Sequence, residues 1–197
     1  MAYESFAELG FAMLCEKSPS VRFSLREAIQ PDHEAAERLV EKLNVFQNAQ
    51  SYSSWLLAMR DVHRHFSRCS EAASLKLGLP LVHDQVMEAL ENDILKTSGN
   101  CAASAMGTKP VTDVSAQLGV AYVLEGSGLG ARVLVRRATA VGQVSTHYIS
   151  TLGDLSQSRW PQFVRALDAH ELDIETSIDA ARSVFDVLQI RLNEHFA

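Results

Sequence analysis

Positive charge, cysteine and proline are all scarce in this sequence. Its 197 residues include 18 lysines and arginines against 24 aspartates and glutamates, which gives a formal net charge of −6 at pH 7. That balance argues against a general nucleic-acid binder, which normally presents a basic face. The three cysteines are widely spaced and form no C-x-x-C pair. They therefore predict reduced thiols in a cytoplasmic protein.

Long apolar runs and secretion signals are also missing. No apolar run approaches the ~20 residues that span a bilayer. Residues 1–14 contain two glutamates and no basic residue, unlike a secretory signal. We therefore predict no membrane span and no signal peptide. Residues 1–20 are expected to form a flexible leader, and residues 21–197 a single domain.

Strand signals are scarce, whereas apolar residues recur at three- and four-residue steps. This spacing indicates amphipathic helices over residues 51–75, 81–95 and 174–192, and it predicts an all-α fold. Residues 24–27 (SLRE) have the form of a capping box, so a helix is expected to begin there. Pro31 is expected to bend or restart that helix.

Two other regions lack a clear pattern. Residues 97–110 are small and polar, which predicts a loop. Residues 138–153 are weakly patterned and are expected to be part loop and part short helix. The pair Trp160-Pro161 then indicates the start of another helix.

The most unusual stretch is a helical segment that contains three glycines. Helix formers fill residues 114–137, with Asp113 placed to cap them, yet Gly126, Gly128 and Gly130 interrupt the segment. Each glycine inside a helix costs about 1 kcal/mol relative to alanine. From the residues alone, two interpretations remain open. Either a wide ligand lies against the bare backbone, or the segment is a close helix crossing or a loop.

Most standard catalytic patterns are absent. The sequence contains no Glu-x-x-His motif, no G-x-S-x-G elbow and no phosphate-binding glycine loop. His63 and His65 lie two residues apart, so they point in different directions on a helix and cannot chelate one metal together. The His83-Asp84 pair matches metal phosphohydrolases only weakly and is more typical of a solvated helix face.

His33 is the remaining histidine of interest. Arg26 lies seven residues before it, two helical turns away on about the same face. A lone histidine in such a helix is usually structural. Combined with the glycine segment, however, it supplies the parts that hold a flat anionic macrocycle. These are an axial imidazole, open backbone on the other face, and a cation for carboxylates.

Two segments resemble the heme oxygenase family. Residues 25–34 (LREAIQPDHE) resemble the proximal helix, in which leucine, a basic residue, an acidic residue and alanine precede the ligand histidine. Residues 119–130 (GVAYVLEGSGLG) resemble the distal helix of the bacterial members. The resemblance implies a heme oxygenase-like multi-helical bundle with heme between a proximal and a kinked distal helix.

The resemblance also implies how heme would be held. His33 would be the axial iron ligand, and Arg26 would lie near a heme propionate. Arg136 is a second propionate candidate, with a solvated arginine at a helix end as its alternative. Tyr122 would orient hydrogen bonds in the pocket or simply pack in the core.

The implied reaction opens the porphyrin ring, with heme as both substrate and cofactor. Molecular oxygen and an external electron donor, such as a ferredoxin or a flavoprotein reductase, would yield biliverdin, carbon monoxide and ferrous iron. Gly126, Ser127 and Gly130 are the expected catalytic segment. The glycines would let the backbone tip oxygen toward the ring edge, while backbone groups and ordered water supply protons. Ser127 stands where animal enzymes carry an aspartate, which agrees with the bacterial branch.

Some residues depart from the family pattern. Gly128 is an extra glycine that the motif does not explain, and Phe185 and Gln189 stand where some relatives carry basic partners for the propionates. Residues 152–156 (LGDLS) imitate the animal distal motif, but we interpret them as a chance match in a poorly helical stretch. Two alternatives to the enzyme stay open. One is a non-catalytic heme or tetrapyrrole carrier or sensor, and the other is a helical interaction module without heme.

Overall fold

The computed structural model of the protein describes residues 20–98 and 111–197. Within these two ranges the chain forms seven α-helices and one 3₁₀ turn, and no strand. The prediction of an all-α fold is therefore confirmed. The helices are α1 (Val21–Lys42), α2 (Ala49–Lys76), α3 (His83–Ser98), α4 (Val114–Gly126), α5 (Ala131–Val141), α6 (His147–Leu167) and α7 (Ile174–His195), with the 3₁₀ turn (Ser127–Gly130) between α4 and α5.

Helix α1 begins earlier than its capping-box motif predicts. It starts at Val21, so Ser24 lies inside the helix and the predicted start is wrong. The helix also continues through Pro31 without a break. Leu25 and Ile29 before the proline and Ala36 after it are all buried. This packing outweighs the cost of about 3 kcal/mol that proline imposes inside a helix.

Helices α4 and α7 pack closely against each other in the core. Asp113 caps α4 as predicted, since its Oδ1 accepts a hydrogen bond from the Ala116 amide at 2.8 Å. At Gly119 the two backbones nearly touch. A Cβ there would lie 2.1 Å from the Ser177 carbonyl oxygen of α7. Glycine at this position therefore allows α4 and α7 to approach this closely.

Helix α6 is the main difference from the sequence-based expectations. It runs unbroken from His147 to Leu167, so the predicted start at Trp160-Pro161 is wrong. The reason lies in α3. The buried carboxylate of Asp93 accepts hydrogen bonds from the Tyr148 amide at 2.8 Å and from the Ser145 hydroxyl at 2.5 Å. A residue more than fifty positions away thus caps α6.

One helical stretch could cross a membrane by length and composition alone, namely Val114–Val141. The sequence analysis predicted no span. In the structure this stretch is interrupted by the 3₁₀ turn, and part of it is buried in the core. Core helices of soluble proteins pass the same test, so it is weak evidence for a span. The predicted leader, apart from Ser20, and residues 99–110 lie outside the described residues.

Candidate functional site

A cleft of about 580 Å³ opens between α1 and the end of α4. This volume falls within the range of pockets that bind cofactor-sized molecules. Helix α1 provides one wall, α4 and the 3₁₀ turn provide the opposite wall, and residues of α6 and α7 contribute the rest. Of the residues predicted to form the site, four line this cleft: Arg26, His33, Tyr122 and Gly126.

The His33 side chain is 55% exposed and reaches the cleft from α1. Its ring lies edge-on to Phe185 of α7, with ring centroids 6.1 Å apart. Glu37, one turn later on α1, places Oε1 3.7 Å from Nδ1 of the imidazole. This separation is too long for a hydrogen bond, so Glu37 lies beside the imidazole without fixing its tautomer.

Two arginines, Arg22 and Arg26, line the cleft from the first turns of α1. Arg22 also forms an ion pair with Asp168, with 3.5 Å between Nε and Oδ2. The sequence analysis identified only Arg26. The available signal was spacing, because residues four apart share one face of a helix. Together the two guanidinium groups can bind carboxylates at this wall of the cleft.

Tyr122 ties the two walls of the cleft together. Its hydroxyl donates a hydrogen bond to the Arg22 carbonyl oxygen at 3.2 Å. Burial raises the pKa of Tyr122 above its ordinary value, so the phenol stays protonated at neutral pH. Its ring packs on Trp160, with centroids 5.4 Å apart. The described contacts of Tyr122 are thus structural, and they hold α1 against α4.

The three glycines face different surroundings. A Cβ on Gly126 would meet only the Trp160 ring, at 3.6 Å, so this backbone is open toward the cleft. A Cβ on Gly130 would meet nothing within 4 Å, and Gly130 does not line the cleft. Gly128 turns toward α6 instead, where a Cβ would come 2.6 Å from the Leu152 carbonyl oxygen. Gly128 therefore has the structural role that the motif left unexplained.

Two further predicted residues lie away from the cleft. The Ser127 hydroxyl donates a hydrogen bond to the Leu124 carbonyl oxygen at 2.7 Å. Arg136 is exposed on α5 and does not line the cleft. The 152–156 segment is helical, contrary to expectation, and packs against the 3₁₀ turn through the Ser156 hydroxyl, which donates to the Gly128 carbonyl oxygen at 3.2 Å.

A buried arginine of α6 binds the residue that precedes the glycine segment. Arg159 is 5% exposed, and its Nε donates to both oxygens of Glu125 at 2.7 and 2.8 Å. Its other nitrogens donate to the Pro80 carbonyl oxygen at 2.6 Å and to the Ser74 hydroxyl at 2.8 Å. We call these four residues the Arg159 clamp. Because Glu125 precedes Gly126 and Arg159 precedes Trp160, the clamp fixes two cleft-lining residues.

A second buried polar group lies beside the clamp. His63 shares a hydrogen bond of 2.8 Å with the Tyr148 hydroxyl. Burial, together with nearby His83, lowers the pKa of His63 from 6.5 to about 4. His63 and His83 also line a cavity of about 40 Å³ next to Glu125 and Arg159. The imidazole of His63 is therefore neutral at physiological pH.

The described residues contain no group of three or more histidine, cysteine or acidic side chains that could hold a metal ion. The cleft instead offers the single imidazole of His33. A single imidazole suits an iron whose equatorial ligands all come from a porphyrin. Cys69 is buried, and Cys15 and Cys101 lie outside the described residues.

No protein-family profile and no curated protein matches this sequence. A solved structure does match the fold: the NO- and CO-bound heme oxygenase from Neisseria meningitidis, with a TM-score of 0.78. The match covers 91% of this chain and 93% of that one, at 21% sequence identity. At this identity the likeness concerns the fold. The protein therefore has the all-helical fold seen in that bacterial heme oxygenase.

Proposed function

We propose that this protein is a heme oxygenase that opens heme to biliverdin, carbon monoxide and ferrous iron. The observation that carries the proposal is the pairing of His33 on one wall of the cleft with the bare backbone of Gly126 on the other. The fold likeness to the Neisseria meningitidis enzyme supports it independently of the sequence motifs.

The residues of the cleft fit heme. His33 would ligate the iron through an imidazole nitrogen, with Glu37 close beside the ring. Arg26 and Arg22 would bind the propionates, and Phe185 and Trp160 supply apolar surface for the ring. When bound, heme would supply both the iron that activates oxygen and the porphyrin that is oxidised. Gly130, Ser127 and Arg136 receive no contact with heme in this proposal.

The chain's own residues would orient the substrate and limit water access. Gly126 carries no side chain, so its backbone would stay open toward a ligand held in the cleft. Tyr122 keeps α1 at a fixed distance from α4, so the imidazole and the glycine stay opposed. Electrons would come from an external donor such as a ferredoxin or a flavoprotein reductase. We also expect the protein to act in the cytoplasm.

Heme titration followed by single turnover tests the proposal. Stoichiometric heme binding should give a Soret band, and oxygen with ascorbate should then replace it with a verdin band. Recovery of unchanged heme would instead indicate a carrier or sensor. An absent Soret band would indicate an interaction module without heme.

The matched variants are His33→Ala and His147→Ala. His147 is exposed at the start of α6 and does not line the cleft. We expect His33→Ala to lose the histidine-ligated spectrum and His147→Ala to keep it. An unchanged spectrum in His33→Ala would remove His33 from the ligand role.

A further inference from the structure

Asp168 places a carboxylate beside one of the two arginines of the cleft. It directly follows the last residue of α6, and its side chain is 27% exposed. Its Oδ2 lies 3.5 Å from Nε of Arg22, and its Oδ1 accepts a long hydrogen bond of 3.4 Å from the Arg22 amide. This cation of the cleft therefore has a partner within the protein itself.

The ion pair between Arg22 and Asp168 has poor geometry. Nε of Arg22 is shielded from solvent, yet it has no hydrogen-bond partner among the described residues, because the Asp168 oxygen lies too far away. The backbone of Arg22 is better held, since its carbonyl oxygen accepts the hydrogen bond from Tyr122. A ligand carboxylate at the usual distance of about 2.8 Å would pair with the guanidinium more closely than Asp168 does.

Helix stability does not explain the charge of Asp168. The residue is the C-cap of α6, and a negative charge there is unfavourable because the helix dipole is itself negative at the C-terminus. The charge acts instead on the cleft. Burial is the main cause of the raised pKa of Tyr122; of the nearby charges, Arg26 and Arg22 lower this pKa and Asp168 raises it. All three charged groups thus surround one end of the cleft, where Asp168 opposes the two arginines.

We propose that Asp168 competes with the carboxylates of a bound tetrapyrrole for Arg22, and so limits how tightly the cleft holds the ring-opened product. This inference rests on the proposed function, in which heme and biliverdin carry the same two carboxylates. Asp168 weakens the binding of both by a similar factor. Heme is also held by the bond between its iron and His33, whereas biliverdin has lost the iron. The product is therefore the ligand that the cleft releases.

The test compares Asp168→Asn with the matched control Asp154→Asn. Asp154 is exposed on α6 and does not line the cleft. Asparagine removes the charge but keeps an oxygen that can accept from the Arg22 amide. Biliverdin is titrated into each protein at low salt and followed by quenching of tryptophan fluorescence, since Trp160 lines the cleft. We expect Asp168→Asn to bind biliverdin about three- to tenfold more tightly, and the control to bind it as the unmodified protein does.

Further measurements separate competition from a structural effect. Arg22→Gln should bind biliverdin more weakly, and high salt should reduce the gain in Asp168→Asn. Biliverdin dimethyl ester, which lacks free carboxylates, should bind Asp168→Asn and the unmodified protein equally. No gain, an equal gain in the control or for the dimethyl ester, or no biliverdin binding at all would overturn this role of Asp168. Heme binding without ring opening would contradict the proposed function alone, because the affinity comparison needs no turnover.

Discussion

At the residue scale, the glycine segment contains one glycine that lines the cleft, Gly126, and one that packs against α6, Gly128. Gly126 and Gly130 have room for a methyl group, whereas Gly128 does not. All three occupy right-handed helical or near-helical backbone, which alanine also adopts. Substituting alanine at each position in turn therefore tests which glycine is needed for packing.

We predict opposite stability changes for these substitutions. Gly128→Ala should lower the free energy of unfolding by roughly 1–3 kcal/mol, because its Cβ meets the Leu152 backbone. Gly126→Ala and Gly130→Ala should be neutral or stabilising by up to about 1 kcal/mol, since alanine is the better helix former. Urea unfolding measures this order.

Heme affinity should follow a different order from stability. Gly126→Ala places a methyl group in the cleft and should weaken heme binding, while Gly130→Ala should leave it unchanged. Equal heme affinities for the two variants would argue against Gly126 as the contact point.

The sequence could predict part of the cleft but not all of it. Arg26, His33 and Gly126 lie in short motifs, so their placement follows from local patterns. Trp160 reaches the cleft only because α6 crosses behind α4, and that crossing depends on buried contacts between distant segments. No local sequence pattern around Trp160 predicts that this residue lines the cleft.

At the scale of helices, the Arg159 clamp joins α6 to α4 and α2. Burial raises the pKa of Glu125, while the Arg159 guanidinium opposes that rise. Removing the guanidinium would therefore leave a buried carboxyl group without its counter-charge. Such a loss is far more costly than the loss of an exposed pair.

We predict that Arg159→Met lowers the free energy of unfolding by about 3–5 kcal/mol. The control is Arg64→Met, which breaks the partly exposed pair with Glu91 (2.6 Å) and should cost about 1 kcal/mol or less. The double variant Glu125→Leu/Arg159→Met should recover part of the loss, because no unpaired charge remains. Equal losses for the two single variants in urea unfolding would refute the clamp.

Helix boundaries show what local patterns miss. Amphipathic spacing was sufficient for α2 and α7, and a local aspartate cap was sufficient for α4. The start of helix α6 has no local capping signal, because the carboxylate that accepts its hydrogen bonds, Asp93, comes from α3. A boundary set by a distant side chain leaves no signal in the neighbouring residues.

At the scale of the whole molecule, a buried neutral histidine links folding to pH. The folded protein keeps His63 neutral down to about pH 4, whereas the unfolded chain protonates it near pH 6.5. Between these values unfolding takes up a proton, so lowering the pH favours the unfolded state.

We therefore predict that stability falls as pH decreases from about 6.5 to about 4, by at most about 3 kcal/mol from this residue. His63→Gln can keep a hydrogen bond to Tyr148 but does not titrate, so its stability should depend less on pH. Urea unfolding across this range measures the two slopes. Parallel slopes would show that His63 is not the source.

The different surroundings of Gly126 and Gly128, one open and one tightly packed, also fix the number of residues between them. A single inserted residue after Ser127 would rotate everything downstream by about 100° about the helix axis. Leu129 would then leave the cleft, and a residue bearing a Cβ would meet the Leu152 carbonyl oxygen. Substitutions are thus tolerated at some positions of this segment, whereas insertions and deletions are expected to disrupt both the ligand face and the packing face.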